Sequence, residues 1–220
     1  PWLLLLLSVT TGLVDAISVL GLGKVFTANM TGNVVFLGFA AVGTPGFRVA
    51  PYLVAIATFM LGALVAGRLA RMHEDKSLHR WLIVASAIEA VLLWIAAGFA
   101  IGFDIASQSP DWVVFALIGL TAVAMGFRNG TIRELKVPDL TTTVLTLTVT
   151  GFAADSSLAG GKNPNWGRRL ASVVSILLGA ALGAYLVFAS GLALPLFVAG
   201  AFTFPGTIAC AVHSAAPTIF

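Results

Sequence analysis

The chain has 220 residues, of which 59% are hydrophobic and only 10% charged, with mean hydropathy +1.01 and a formal charge of +3. Soluble domains carry about 25% charged residues, so this composition excludes a water-soluble globule and predicts an integral membrane protein. The basic residues lie in short segments between apolar blocks rather than on one face, which excludes nucleic acid as a partner.

Apolar blocks fall at roughly 2–20, 28–43, 50–71, 81–103, 112–129, 139–154, 168–189 and 191–212. The first, "WLLLLLSVTTGLVDAISVL", is longer than a signal-peptide core and carries Asp15, so it is expected to remain as a helix. Six blocks are long enough to cross a hydrocarbon core of about 30 Å at about 1.5 Å per residue. The blocks at 28–43 and 139–154 are short, near 24 Å by the same rise.

Both short blocks open on a polar knot. The first reads "FTANMTGNVVFLG" from Phe26, and the second belongs to "VPDLTTTVLTLTVTG" from Val137. The order long, short, long, long then occurs twice. Aligning the copies brings Asp15 onto Asn129, Asn29 onto Asp139, Thr31 onto Thr141 and Asn33 onto Thr143. The expectation is a single membrane domain over 1–220 built from two repeats, about 1–103 and about 111–213.

Lys and Arg favour the cytoplasmic side of a membrane protein. Arg68, Arg71, Lys76 and Arg80 follow the third block, whereas the segment 104–111 holds two Asp and no cation. If the short blocks span, Arg48, Lys162, Arg168 and Arg169 lie outside; if they do not, only Lys24 and Arg48 do. The second arrangement fits better. It predicts an all-α protein of six transmembrane helices plus two half-membrane (re-entrant or discontinuous) helices, with both termini cytoplasmic. Three crossings per copy make the two repeats inverted.

A helix that begins inside hydrocarbon leaves four backbone N–H groups without partners. Asn, Asp and Thr at the first turn supply acceptors, so Asn29 or Thr31, and Asp139 or Thr141, are the expected caps. Opposed half-helix N-termini, each carrying roughly half a positive charge, form the substrate site of inverted-repeat transporters. The expected site is lined by Thr27, Asn29, Thr31, Asn33, Asp139, Thr141, Thr142 and Thr143. The competing reading gives the same residues only capping and packing duties.

Asp15, Glu89 and Arg128 lie within apolar blocks, where ionisable groups pair, line water or carry function. Asp15 and Arg128, adjacent under the repeat alignment through Asn129, are expected as an ion pair, and Glu89 or Asp15 as a proton carrier. Gly179 and Gly183 make a GxxxG for close packing within a protomer or in a homodimer. The five Trp fall mostly near block ends, as interface anchors do. The single Cys210 and the three scattered His form no metal site, and no cofactor motif or nucleophile–base pair points to an enzyme.

The stretch "GLVDAISVLGLGKVFTANMTGNVVFLG" resembles the signature of the YoaK-type family, and "MGFRN" and "TTTVLTLTVTG" resemble its later segments. The likeness covers essentially the whole chain. It implies a six-span bacterial inner-membrane protein carrying a domain of unknown function. Arg128-Asn129 departs from the Gln-Asn of that family. Half-helices meeting between inverted repeats are also similar to the core of uracil- and sulfate-type transporters, an analogy of architecture alone. The function expected is a secondary transporter or permease for a small solute, a small anion or weak acid being favoured by the helix N-termini; the alternative is a non-transporting membrane scaffold or assembly protein.

Overall fold

The computed structural model describes residues 2–72, 78–134, 145–162 and 165–215, with side chains described from Leu5 to Ile208 apart from those flanking the gaps. Among these residues the chain is helical throughout: α1 (Trp2–Gly21), α2 (Met30–Ala41), α3 (Val49–Arg71), α4 (Leu78–Phe99), α5 (Asp111–Glu134), α6 (Leu145–Ala154), α7 (Trp166–Ser190) and α8 (Ala193–Ala215). A single 3₁₀ turn, Ser157–Ala159, follows α6.

Length sorts these helices. Four of those described, within α3, α4, α5 and α7, are long and apolar enough to cross a membrane. The apolar described parts of α1 and α8 are shorter, Leu5–Gly21 and Ala193–Ile208. At 12 and 10 residues, α2 and α6 rise only about 18 and 15 Å. α2 does not reach across a hydrocarbon core, and for α6 the rise is that of its described residues alone. Residues 135–144, with Asp139 and Thr141 to Thr143, lie outside the described residues.

Three hydroxyls of α1 bond back to its own backbone. Thr10 and Thr11 donate to the carbonyls of Leu7, at 3.0 and 2.8 Å, and Ser18 donates to that of Asp15 at 3.1 Å. Such back-bonding lets a hydroxyl sit in an apolar helix without a distant partner. The helix stops where Gly23 and Lys24 both adopt positive φ, 77° and 65°. That left-handed turn costs glycine nothing, and it redirects the chain into the extended stretch before α2. At the far end of α6, Arg169 donates to Gly151 O and to Asp155 Oδ2, both at 2.7 Å. A cation there satisfies a terminal carbonyl and opposes the helix dipole.

Three helix pairs make up the bundle: α1 on α7, α3 on α5, and α4 on α8. α4 also packs on α5, and α1 on α8. Two of these pairings interlock through glycine. In α1–α7, a Cβ on Gly12 would strike the carbonyl of Ile176, and one on Gly179 would strike that of Val9. In α3–α5, Gly62 sits on the carbonyl of Val123 and Gly126 on that of Phe59. Small residues at such crossings let helix backbones approach where no hydrophobic force drives association. The Gly179–Gly183 motif is thus occupied within the chain, since Gly183 also abuts Leu13 and Ala16 of α1.

The core centres on α5, α1 and α4: Leu13, Val14, Ile17, Leu93, Leu117, Ile118 and Leu196 are at most 1% exposed. The outward faces are apolar as well, with Met60, Leu147, Leu177, Leu178, Tyr185 and Phe188 all exposed. An apolar perimeter around an apolar core suits lipid rather than water. Trp112 and Trp166 lie exposed near helix ends. Trp81, expected as an interface anchor, is instead buried against Phe127.

Candidate functional site

Two polar places lie inside this bundle, and they are built differently. The first is the knot before α2. Asn33, one turn into α2 and fully buried, accepts from Phe26 N at 2.9 Å and donates Nδ2 to Phe26 O at 2.6 Å. One amide thus satisfies both polar groups of one backbone residue. Asp15, from the middle of α1, accepts from Ala28 N at 3.1 Å, and the N–H groups of Thr27 and Asn29 also turn toward it. A carboxylate from a neighbouring helix therefore caps the start of α2.

That corrects the expected capping. Asn29 occupies the N-cap position but makes no side-chain cap bond, and both it and Thr31 are exposed. The physical reason is that Asp15, reaching across from α1, already accepts from the backbone N–H groups at the start of α2. Thr27 is fully buried, and its hydroxyl lacks a hydrogen-bond partner. Gly32 lies flat on the Phe26 ring, where a side chain would not fit.

The second place is a cavity of about 40 Å³ between α1, α4, α5 and α8. Its polar lining is Ser86, Glu89, Arg128, Thr131, Thr203 and Thr207. Leu7, Leu82, Phe127 and Ile132 supply most of its apolar wall. Glu89 and Arg128 are each 3% exposed and form a buried ion pair through Arg128 Nη2 and Glu89 Oε1. The expected Asp15–Arg128 pair is therefore replaced: Asp15 is held by the backbone before α2, and Arg128 is held by α4.

The guanidinium is gripped on two sides. Nη1 donates to Leu7 O and Thr11 Oγ1, both at 3.1 Å, and Nη2 to Thr203 Oγ1 at 3.2 Å. Thr203 can also donate to Glu89 Oε1, at 3.2 Å. Two buried groups in the lining remain without hydrogen bonds, Arg128 Nε and Thr131 Oγ1. A buried polar atom left without a partner costs about 1–3 kcal/mol.

Of the residues expected at the site, Glu89 and Arg128 come together in this cavity. Thr27, Asn33 and Asp15 gather instead around the start of α2. Asn129 is partly buried and does not line the cavity. Thr11, Ser86, Thr131, Thr203 and Thr207 escaped the sequence reading. A signal for them exists: Ser86 precedes Glu89 by three residues, Thr131 follows Arg128 by three, and Thr203 and Thr207 are four apart. Those spacings put each pair on one helix face.

No solved structure matches the chain. It is 35% identical over 155 residues to the UPF0700 transmembrane protein YoaK of Bacillus subtilis (strain 168), an alignment covering 70% of this chain. The same alignment spans 66% of that relative, just under two thirds of its length. With the apolar helices, the likeness to a transmembrane protein makes this a multi-pass membrane protein in contact with the lipid bilayer. The family model described as "Protein of unknown function (DUF1275)" matches residues 3–210, nearly the whole chain, and the protein belongs to that family.

Proposed function

We propose that this protein is a permease for a small solute in the bacterial cell membrane, with the cavity at Glu89 and Arg128 as its substrate site. The observation that carries this reading is the cavity itself: a buried charged pair on its wall, with two buried polar groups that have no partner among the described residues. Intramembrane ionisable groups beside a cavity mark solute or ion pathways.

The wider architecture is read as six spans and two half-membrane helices in two inverted repeats, with both termini cytoplasmic. The glycine seats support it. Gly12 on Ile176 and Gly179 on Val9 repeat as Gly126 on Phe59 and Gly62 on Val123. The step from Gly12 to Gly126, and from Val9 to Val123, equals the step from Asp15 to Asn129 in the sequence alignment. Exchanging the halves turns α1–α7 into α5–α3 and leaves α4–α8 paired with itself.

The cavity lies toward the first turns of α1 and α4 and the last turns of α5 and α8, as Leu7, Leu82, Ile132 and Thr207 mark. The positive-inside rule assigns that side to the cytoplasm, because Arg80 and Arg133 accompany those ends. On the other side the core around Leu13, Leu93, Leu117 and Ile118 is closed. A site closed toward one face is what one state of alternating access by rocking repeats requires.

The competing scaffold reading draws on the knot, whose Asn33 and Asp15 are spent on backbone. It leaves the cavity without a purpose. Purified protein reconstituted into liposomes and assayed for uptake of small solutes separates the two. Ala85, in the cavity lining, is the plug position: Ala85→Leu is expected to abolish uptake while the protein still elutes as a single species. Liposomes that take up none of a panel of small anions, carboxylates and nucleobases would remove the permease reading, as would uptake indifferent to Ala85→Leu.

A further inference from the structure

We propose that the shared end of α3, α4 and α5 binds the phosphate headgroup of an anionic phospholipid, with an acyl chain lying along the outer face of α3. The inference goes beyond the permease reading and does not depend on what the cavity holds.

Packing sets the height of the cations. Arg48, just before α3, pairs with Asp111 at the start of α5 at 3.6 Å. Farther along, Gly62 sits on Val123, Gly126 on Phe59, and Gly130 on Ala63 and Ala66. The two helices therefore run parallel and in step, so Arg68 and Arg71 close one as Arg133 closes the other. The first turn of α4 joins them there. Trp81 shares a buried cluster with Ala66 and Phe127, which places Arg80 at the same rim.

Charge balance sets these four arginines apart. Arg48, Arg128 and Arg169 each face a carboxylate. Arg68, Arg71, Arg80 and Arg133 are all exposed, and none joins a salt bridge among the described residues. Along the sequence, 68–80 and 133–136 carry six Lys and Arg against three carboxylates. Offsetting helix dipoles explains a cation in a last turn but disfavours Arg80 in a first turn. Basic clusters at the cytoplasmic ends of membrane helices attract anionic lipid.

Geometry turns the patch toward the bilayer. The Cα–Cβ bonds of a helix tilt toward its N-terminus, so arginines that close α3 lean back toward the hydrocarbon. Arg71 Nη2 accordingly lies 4.0 Å from where a Cβ on Gly67 would stand. At that depth a guanidinium meets phosphate, and its planar fork takes two phosphate oxygens. The chain of the lipid follows from the same helix. Leu61, Leu64 and Val65 are exposed, and their spacing puts them on one stripe that ends at Arg68. A soluble phosphate would use the arginines alone. A phospholipid uses the stripe as well.

The detergent-purified protein is titrated with phosphatidylglycerol, with phosphatidylcholine of the same chains, or with glycerol phosphate. Bound lipid is counted by native mass spectrometry, and thermal unfolding is followed in parallel. Phosphatidylglycerol alone is expected to bind and to raise the Tm. Each arginine is expected to contribute about fivefold in affinity. Arg68→Gln with Arg71→Gln should therefore raise half-saturation about thirtyfold, and Arg133→Gln alone about fivefold. Lys24→Gln with Arg48→Gln removes the same charge at the opposite end and is expected to leave half-saturation unchanged.

Equal binding of phosphatidylcholine overturns the proposal, and so does a glycerol phosphate effect matching that of the lipid. Equal losses in the two double variants would mean diffuse attraction and overturn the site. Should Arg68→Gln with Arg71→Gln not fold, Arg133→Gln decides: unchanged half-saturation overturns the site.

Discussion

The knot before α2 and the cavity beside α5 are both polar islands in an apolar bundle, yet they differ in how their hydrogen bonds close. At the knot, Asn33 answers both backbone groups of Phe26, and Asp15 reaches across from α1 to answer Ala28. At the cavity, four described donor contacts hold Arg128 in place, while Nε and the Thr131 hydroxyl, both buried, have no partner among the described residues. Density of polar residues in the sequence therefore does not locate a binding site. Asn33 and Asp15 fold the backbone and are consumed by it, whereas Glu89 and Arg128 bind one another between helices.

The largest test of that contrast is to break the ion pair. Removing one partner of a buried pair leaves an uncompensated charge, so Glu89→Ala or Arg128→Ala alone is expected to cost about 3–5 kcal/mol. The double variant should cost clearly less than the two singles together, because the partners share one interaction. Unfolding in detergent, monitored by size exclusion after heating, measures all three. Singles as stable as the unsubstituted protein would mean the pair is solvated, and the cavity would lose its distinction.

At the knot the expectation divides between two asparagines four residues apart. Asn33→Ala leaves both Phe26 groups unanswered inside the bundle and is expected to cost about 2–3 kcal/mol. Asn29→Ala, at an exposed N-cap without a side-chain bond, is expected to change stability by less than about 0.5 kcal/mol. The same unfolding assay reads both. Equal effects would contradict the clamp and restore Asn29 as a cap.

A smaller effect concerns pH at the outer rim. Asp104 is held below its ordinary value of 3.8, first by the Ser107 hydroxyl and then by the Ala106 N–H at 2.9 Å. A depressed folded value means the stabilisation is present above the unfolded value and fades as pH falls through the lower folded one. The Tm difference between the unsubstituted protein and Asp104→Asn is therefore expected to be slight near neutrality and to vanish in strong acid. A difference that grows on acidification would contradict that sign.

How much was legible in the chain follows from which forces act locally. Helix existence, and the shortness of α2, were readable because an apolar run must make its backbone bonds internally, so its length sets its reach. The predicted block at 28–43 became Met30–Ala41 and that at 50–71 became Val49–Arg71. The knot was recognised as polar, but its acceptor was not, since Asp15 and Ala28 are brought together by a turn at Gly23 and Lys24 whose direction no local pattern specifies. Glu89 and Arg128 stood out as charges in apolar helices, while their pairing did not. The partner nearest along the repeat, Asp15, was claimed by backbone donors.

Composition and block length by themselves determined that this protein is helical, that it lives in a bilayer, and that α2 is short. Those outcomes follow from burying apolar groups and satisfying each helix within itself. Tertiary structure alone decided which buried charge meets which. Carboxylates at Asp15 and Glu89 had one guanidinium between them, and the packing of α4 against α5 gave it to Glu89, with a space beside it that no sequence pattern could foretell.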